Sequence, residues 1–422
     1  MIEKINFELN NIEINLLKTK KYKVASGIIS FVRPVKKEDF TYYTLLNRLI
    51  SSSCEKYPTK NLLSNKMYEL YDCTAYMSTG YSYKTANTTF VFSTINNKYA
   101  NNKTLLKDCI DLLKEMMLKP LLENDGFNIK YFNEEKKGLE SDIKSIYNNK
   151  KRYSLSKLLT HIYPNDILSE STLGNLDVLK NITPKSLYDF YKELLNNSKI
   201  AIGIIGDVTK EEVESYFNDF ELKTNNLELE RFPKSIPFRE KVQSFSETQD
   251  IVQSRLLIGF KHNINYKDEN YFPLIVFDAM FGGIFGSSLF MNIREANSLA
   301  YDISSMLSMP KKLLTVTCGV AKKNIDLTID LVIKELENYR NGKIDETLLE
   351  NAKNYLLNDL KEVEDFPFSL LAYNMETKLS DRPSYEETIE GISKVEMEDI
   401  ISVSKLLKID TIFTLVPGDD DE

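Results

Sequence analysis

Ile200-Ala201-Ile202-Gly203-Ile204-Ile205-Gly206-Asp207 sets the plan of the chain, because its outline occurs twice. The run is short, β-branched and closed by a turn-forming Gly-Asp, so it reads as a buried strand. Before it come Ile182-Thr183-Pro184 and a helix over Lys185 to Asn196, with Thr183 as cap and Pro184 at the first helical position. The C-terminal part repeats this. A helix around Met397 to Leu406 leads into Thr411-Ile412-Phe413-Thr414-Leu415-Val416-Pro417-Gly418-Asp419, and Gly418 lies 212 positions after Gly206.

Two further echoes keep the same order. Ile29-Ser30-Phe31-Val32, Asp39 and an apolar helix from Tyr42 to Ile50 match Leu257-Ile258-Gly259-Phe260, Asp268 and a helix from Phe272 to Met280, at an offset of 229. Glu140-Ser141-Asp142-Ile143 matches Asn358-Asp359-Leu360 at an offset of 217. Offsets that drift while order is kept describe a duplicated domain whose loops have changed length. Between the repeats, Lys223 to Lys241 is polar, carries Pro233 and Pro237, and has neither helical nor strand period, which reads as a linker. Each half mixes strands with amphipathic helices such as Leu105 to Leu118 and Ile325 to Tyr339, and Thr209 with Glu212 has capping-box spacing. The expectation is an α+β protein of two homologous domains, 1–222 and 242–422, joined by the linker 223–241.

Composition narrows the function. A chain of 422 residues exceeds one ordinary core. A net charge of −8 and a pI near 5.3 argue against a nucleic-acid or anionic-membrane partner. No apolar run is long enough to span a bilayer, and Met1-Ile2-Glu3-Lys4-Ile5-Asn6 is not the start of a signal peptide, so a cytoplasmic location is expected. The Lys, Asn and Ile bias suits an AT-rich bacterial genome. Cys54, Cys73, Cys109 and Cys318 form no C-x-x-C pair and read as reduced, buried residues. The tail Asp419 to Glu422 reads as frayed.

Only His161 and His262 are present, 101 positions apart. A histidine-based zinc site needs imidazoles at short helical spacing, and a Ser-His or Cys-His nucleophile needs a nearby base; neither pattern occurs. His161, in Thr160-His161-Ile162-Tyr163-Pro164, reads as a packed or capping residue at a helix end, and His262 as a solvated residue in a polar turn. Gly282-Gly283-Ile284-Phe285-Gly286-Ser287-Ser288 lacks the Gly-Lys-Ser/Thr of a phosphate cradle.

The most specific block is Phe285-Gly286-Ser287-Ser288-Leu289-Phe290, Ile293-Arg294-Glu295 and Leu299-Ala300-Tyr301. Together with Leu173-Gly174, Asp177, Leu179, Ile182-Thr183-Pro184 and Gly206-Asp207, it resembles the pitrilysin/insulinase metallopeptidases, particularly the small subunits related to mitochondrial processing peptidase. The resemblance implies two α/β-sandwich domains facing each other around a chamber. Active members carry His-x-x-Glu-His on an early helix of the first domain and a glutamate on a later one. The histidines bind zinc, and the intervening glutamate takes the proton of the metal-bound water.

Registering the chain by Lys56-Tyr57-Pro58-Thr59 puts Thr44 at the first histidine, Asn47 at the general base and Arg48 at the second histidine; the third ligand falls at Asp142 or Glu140. Threonine is a poor ligand, asparagine cannot take a proton from water, and a guanidinium repels a cation. No metal is expected in this chain. Arg294 and Tyr301, seven positions apart, match the pair that the resemblance assigns to the substrate backbone and the developing oxyanion. Gly282, Gly283, Gly286, Ser287 and Ser288 match a small-residue loop facing the substrate. The plain structural alternative makes Arg294 an ion-paired surface residue and Tyr301 a packed aromatic. The implied function is a non-catalytic subunit of a heterodimeric peptidase acting on peptides, with zinc held by a partner carrying His-x-x-Glu-His. The alternative is an inactive peptide-binding or structural homodimer.

Overall fold

The computed structural model describes residues 2–100 and 102–418, so the tail Asp419 to Glu422 lies outside the described residues. It divides into two compact units, and neither is continuous in sequence.

The first unit comprises Met1–Ser145, Ser171–Arg231 and Val363–Leu379. Its strands are β1 (Glu3–Leu9), β2 (Ile12–Lys18), β3 (Val24–Pro34), β4 (Thr74–Ser82), β5 (Thr85–Ile95), the short pair β6 (Leu122–Glu123) and β7 (Gly126–Phe127), and β8 (Lys199–Gly206). Six of them form one sheet in the order β1-β2-β8-β3-β5-β4, with β2 and β8 parallel and the other neighbours antiparallel. Asn10 and Asn11, both at positive φ, make the tight turn between β1 and β2. The Ile200–Asp207 run is the strand β8, buried along nearly its whole length.

Strand periodicity assigns β8 to both layers of the unit. Ala201 and Ile205 point to the side covered by the helix Pro367–Leu379, where Leu370, Leu371, Met375 and Leu379 join Leu17, Ile28 and Val32 in a single cluster. Gly203 lies on that same side. A Cβ there would stand 2.6 Å from Met375 Sδ, so the glycine lets the helix settle onto the strand.

The second unit comprises Ile146–Glu170, Phe232–Glu362 and Ser380–Glu422. Its sheet joins β9 (Gln243–Gln249), β10 (Ser254–Lys261), β11 (Ala300–Ser308), β12 (Leu313–Val320) and β13 (Lys408–Pro417) in the order β11-β12-β10-β13-β9. Read from the parallel pair, this order is β9-β13-β10-β12-β11, the counterpart of β2-β8-β3-β5-β4. The duplication in the sequence is therefore a duplication of topology. The helix Lys150–Ile162 packs on β10 and β13, and a Cβ at Gly259 would stand 2.6 Å from Ile162 Cδ1. In each unit, then, a central-strand glycine receives a helix supplied from a distant part of the chain. The fold is a pair of α/β sandwiches, as expected.

Local signals hold as well. Thr183 caps Pro184–Asn196 and Thr209 caps Lys210–Phe217, each with a reciprocal capping box. All four cysteines are buried and free. No helix among the described residues is long and apolar enough to cross a membrane. His161, at the end of Lys150–Ile162, stacks on Phe245 with ring centroids 3.7 Å apart, a packed imidazole as read.

His262 departs from its reading as a solvated residue. Its backbone N–H bonds the Lys312 carbonyl at 3.1 Å, which extends the β10–β12 ladder and turns the side chain into the core, fully buried. The ring Nδ1 accepts the Ile264 N–H at 3.2 Å. Burial, with the Lys312 charge added, pushes its pKa down to about 3. The folded state therefore keeps the imidazole neutral, and its contribution to stability is full above the unfolded value of 6.5 and lost as pH falls toward 3. At pH 5 the loss is about 2 kcal/mol. His262→Asn is expected to flatten the fall in denaturant stability between pH 7.5 and 5 by about that amount; an unchanged pH profile would show that the imidazole is not held neutral.

Candidate functional site

The helix Asp39–Ile50 presents Phe40, Tyr43, Leu46 and Ile50 to the interior. Thr44, Asn47 and Arg48, spaced at i, i+3 and i+4, share the half-exposed face. Thr44 Oγ lies 3.0 Å from the Phe40 carbonyl and 2.9 Å from the Thr172 carbonyl. Asn47 Oδ1 accepts from Thr79 Oγ on β4 at 3.1 Å. One turn earlier, Thr41 Oγ accepts the Asn175 N–H at 2.9 Å, and Gly174, at φ +85°, comes so close that a Cβ would stand 2.3 Å from that oxygen.

Opposite lies the helix Ile129–Ser145. Glu135, Gly138 and Asp142, at i, i+3 and i+7, share its facing stripe. Arg48 reaches across to them. Its Nη2 donates to Asp142 Oδ2 in a short ion pair, and its Nη1 stands 3.8 Å from Glu135 Oε2. Lys60 Nζ binds the other Glu135 oxygen at 2.5 Å. A Cβ on Gly138 would approach Arg48 Nη1 to 3.0 Å, so the glycine makes room for the guanidinium. Glu140 instead pairs with Lys144 at 2.5 Å on the exposed side. Of the two candidates for the third-ligand position, Asp142 is the one that meets the motif helix.

The residues do not fit a zinc ion. The Asp142 carboxylate is engaged by a guanidinium, Thr44 donates to backbone carbonyls, and Asn47 is neutral and engaged with Thr79. Among the described residues no group of three or more His, Cys, Asp or Glu side chains could hold a metal. Sequence reading found Arg48 and Asp142 but missed Glu135 and Lys60. The available signal was the spacing: Glu135 lies two helical turns before Asp142, on the same face.

In the second unit, the helix Tyr271–Asp278 widens into a π-type turn over Ala279–Gly283, and a second such turn spans Phe290–Glu295. The loop between them is divided by burial. Ser287 and Ser288 are turned inward, with the Ser288 hydroxyl 2.6 Å from the Tyr339 hydroxyl, so they brace the loop from behind. Gly282 is buried against β11, where a Cβ would stand 2.7 Å from the Ser305 nitrogen. Gly283 is exposed and Gly286, at φ +79°, is half-buried; of the five small residues, these two reach the surface. Arg294 is exposed. Its guanidinium lies 4.8 Å from the Phe290 ring and its Nε 3.8 Å from the Glu295 carboxylate. Tyr301, the second residue of the edge strand β11, is 71% exposed, which overturns the packed-aromatic alternative. No contact joins the two side chains among the described residues.

The ion pair gives a direct prediction. Both Arg48 and Asp142 are partly exposed, so a double-mutant cycle of Arg48→Met and Asp142→Asn is expected to give a coupling of about 0.5–1 kcal/mol in denaturant unfolding. A coupling near zero would mean that the pair does not tie the two helices together.

Residues 181–356 match the family model described as the peptidase M16 inactive domain. The chain is 28% identical, over 95% of each sequence, to the probable inactive metalloprotease YmfF of Bacillus subtilis. It is 23% identical to the antilisterial bacteriocin subtilosin biosynthesis protein AlbE of the same organism, over 92% of this chain and 96% of that one. Among solved structures, a conserved protein from Enterococcus faecalis superimposes with a TM-score of 0.92 at 27% identity, over the full length of both chains. The chain is thus similar, in residues 181–356, to the peptidase M16 inactive domain and, over nearly its whole length, to a probable inactive metalloprotease, and it has no histidine before position 161 to form the His-x-x-Glu-His of an active M16-type peptidase.

Proposed function

We propose that this chain is the non-catalytic subunit of a heterodimeric zinc metallopeptidase of the bacterial cytoplasm, one that processes or degrades peptides. The observation that carries the reading is an asymmetry. Arg48 is salt-bridged to Asp142 at the positions registered to the zinc motif, while Arg294 and Tyr301 remain exposed with donors able to serve a substrate. A homologous partner bearing His-x-x-Glu-His supplies the zinc and the general base. This chain lends the Arg294 guanidinium and the Tyr301 phenol to the peptide carbonyl as its oxygen becomes negative.

Two features support a peptide in extended form. The outer strands β4 and β11 each have a strand neighbour on one side only, so each offers backbone groups to an added strand. β4 also carries Thr79, which meets Asn47 of the motif helix. Similarity to a protein named for bacteriocin biosynthesis supports peptide maturation as the setting.

The test is co-expression with a His-x-x-Glu-His homologue, followed by gel filtration and turnover of a fluorogenic peptide. Arg294→Ala and Tyr301→Phe are each expected to lower kcat of the pair about 10- to 100-fold without loss of the complex or its zinc. Unchanged turnover in both variants, or a chain that assembles only with itself, would overturn the proposal.

A further inference from the structure

Alternate residues of a regular strand share a face, which would put Tyr301 with Ile303 and Ser305. Those two residues of β11 are buried, yet Tyr301 is exposed. The register explains the difference. It passes from Ala300↔Val320 to Asp302↔Gly319 and skips Tyr301, the extra residue of a β-bulge. Ala300 takes the buried place, and the bulge turns the tyrosine outward.

The residue that closes the bulge is held from two sides. Asp302, Gly319 and Arg255 stand in one row across β11, β12 and β10. Arg255 Nη1 donates to Asp302 Oδ1 at 2.8 Å and to Oδ2 at 3.0 Å, across the glycine between them. A Cβ on Gly319 would overlap Asp302 Oδ1 and come within 3.0 Å of Arg255 Nη1, so glycine leaves the ion pair its path. Lys151, the second residue of the helix Lys150–Ile162, brings its Nζ to 2.6 Å from Asp302 Oδ2. Partial burial raises the carboxyl's pKa; Lys151 and Arg255 outweigh it and hold the group below its ordinary range. Partly exposed ion pairs add little to stability, so the main consequence of this one is geometric.

We propose that Asp302 is a positioning residue: clamped across Gly319 by Arg255 and Lys151, it fixes the bulge that presents the Tyr301 phenol to a substrate. The use of the phenol rests on the peptidase reading above; its placement does not.

Two experiments separate use from placement. In the chain alone, Tyr301→Cys adds one accessible thiol to four buried ones, and its rate with a chromogenic aromatic disulfide reports how far position 301 is turned out. Adding Asp302→Asn is expected to slow that reaction about fivefold or more, as the strand relaxes toward regular alternation. Removing a neighbouring carboxylate would by itself favour the thiolate and speed the reaction, so an unchanged or faster rate would overturn the proposal. In the co-expressed pair, Asp302→Asn is expected to lower kcat about tenfold with KM within about twofold, and to cost less than about twofold more in a Tyr301→Phe background. An undiminished effect in that background would show that Asp302 does not act through Tyr301, which also overturns it. Should Asp302→Asn fail to fold, Gly319→Ala is read in its place with the same signs, because it keeps every charge and blocks only the path of the ion pair. An unmodified pair without turnover would count against the peptidase reading, while the thiol rates still decide how position 301 is placed.

Discussion

Arg48 is the constraint on which the account turns. Two carboxylates, Glu135 and Asp142, face the helix Asp39–Ile50 from one stripe of Ile129–Ser145. Facing carboxylates need a cation between the helices. In a zinc peptidase a divalent ion can serve; here a guanidinium does, assisted by Lys60. A guanidinium is always charged, and its planar fork can meet two carboxylates at once. It bridges the two helices at the position registered to the second histidine, where a positive charge repels a cation. Gly138 completes the exchange by sparing the volume the fork needs.

The two sandwiches show how the frame around this pair is built. A sheet whose central strands are buried on both faces needs a layer on each side. In both units one of those layers includes a helix from far along the chain, seated on a central-strand glycine: Met375 against Gly203 in one, Ile162 against Gly259 in the other. The same solution in both copies fits a duplicated ancestor. It also means that removing the segment 367–379 would strip apolar cover from the first sheet.

Much of this was legible in the sequence where the signal is local. The β-branched run ending in Gly-Asp, the proline after Thr183 and the Thr209–Glu212 spacing each report a backbone preference that the fold kept. What depends on tertiary placement was not. An amphipathic stripe shows that Lys150–Ile162 is packed on one face but does not name the sheet it packs on. His262 looked solvated because its neighbours are polar, yet the ladder to Lys312 carries it inside. Ser287 and Ser288 matched a substrate-facing loop, and their hydroxyls turn inward, one of them to Tyr339. The register reached Arg48 and Asp142, while Glu135 and Lys60 emerged only from the packing of two helices.

A chain with Thr44, Asn47 and Arg48 at the positions registered to a zinc motif, and with Arg294 and Tyr301 exposed on a separate unit, fits the proposed work alongside another chain, and the absence of a bound metal is the claim from which that reading follows. Metal analysis of the purified chain, paired with melting in the presence and absence of a chelator, tests it most directly. The account predicts negligible bound zinc and a melting temperature that the chelator does not move. Zinc bound one to one, with a melting temperature that falls when it is removed, would contradict it.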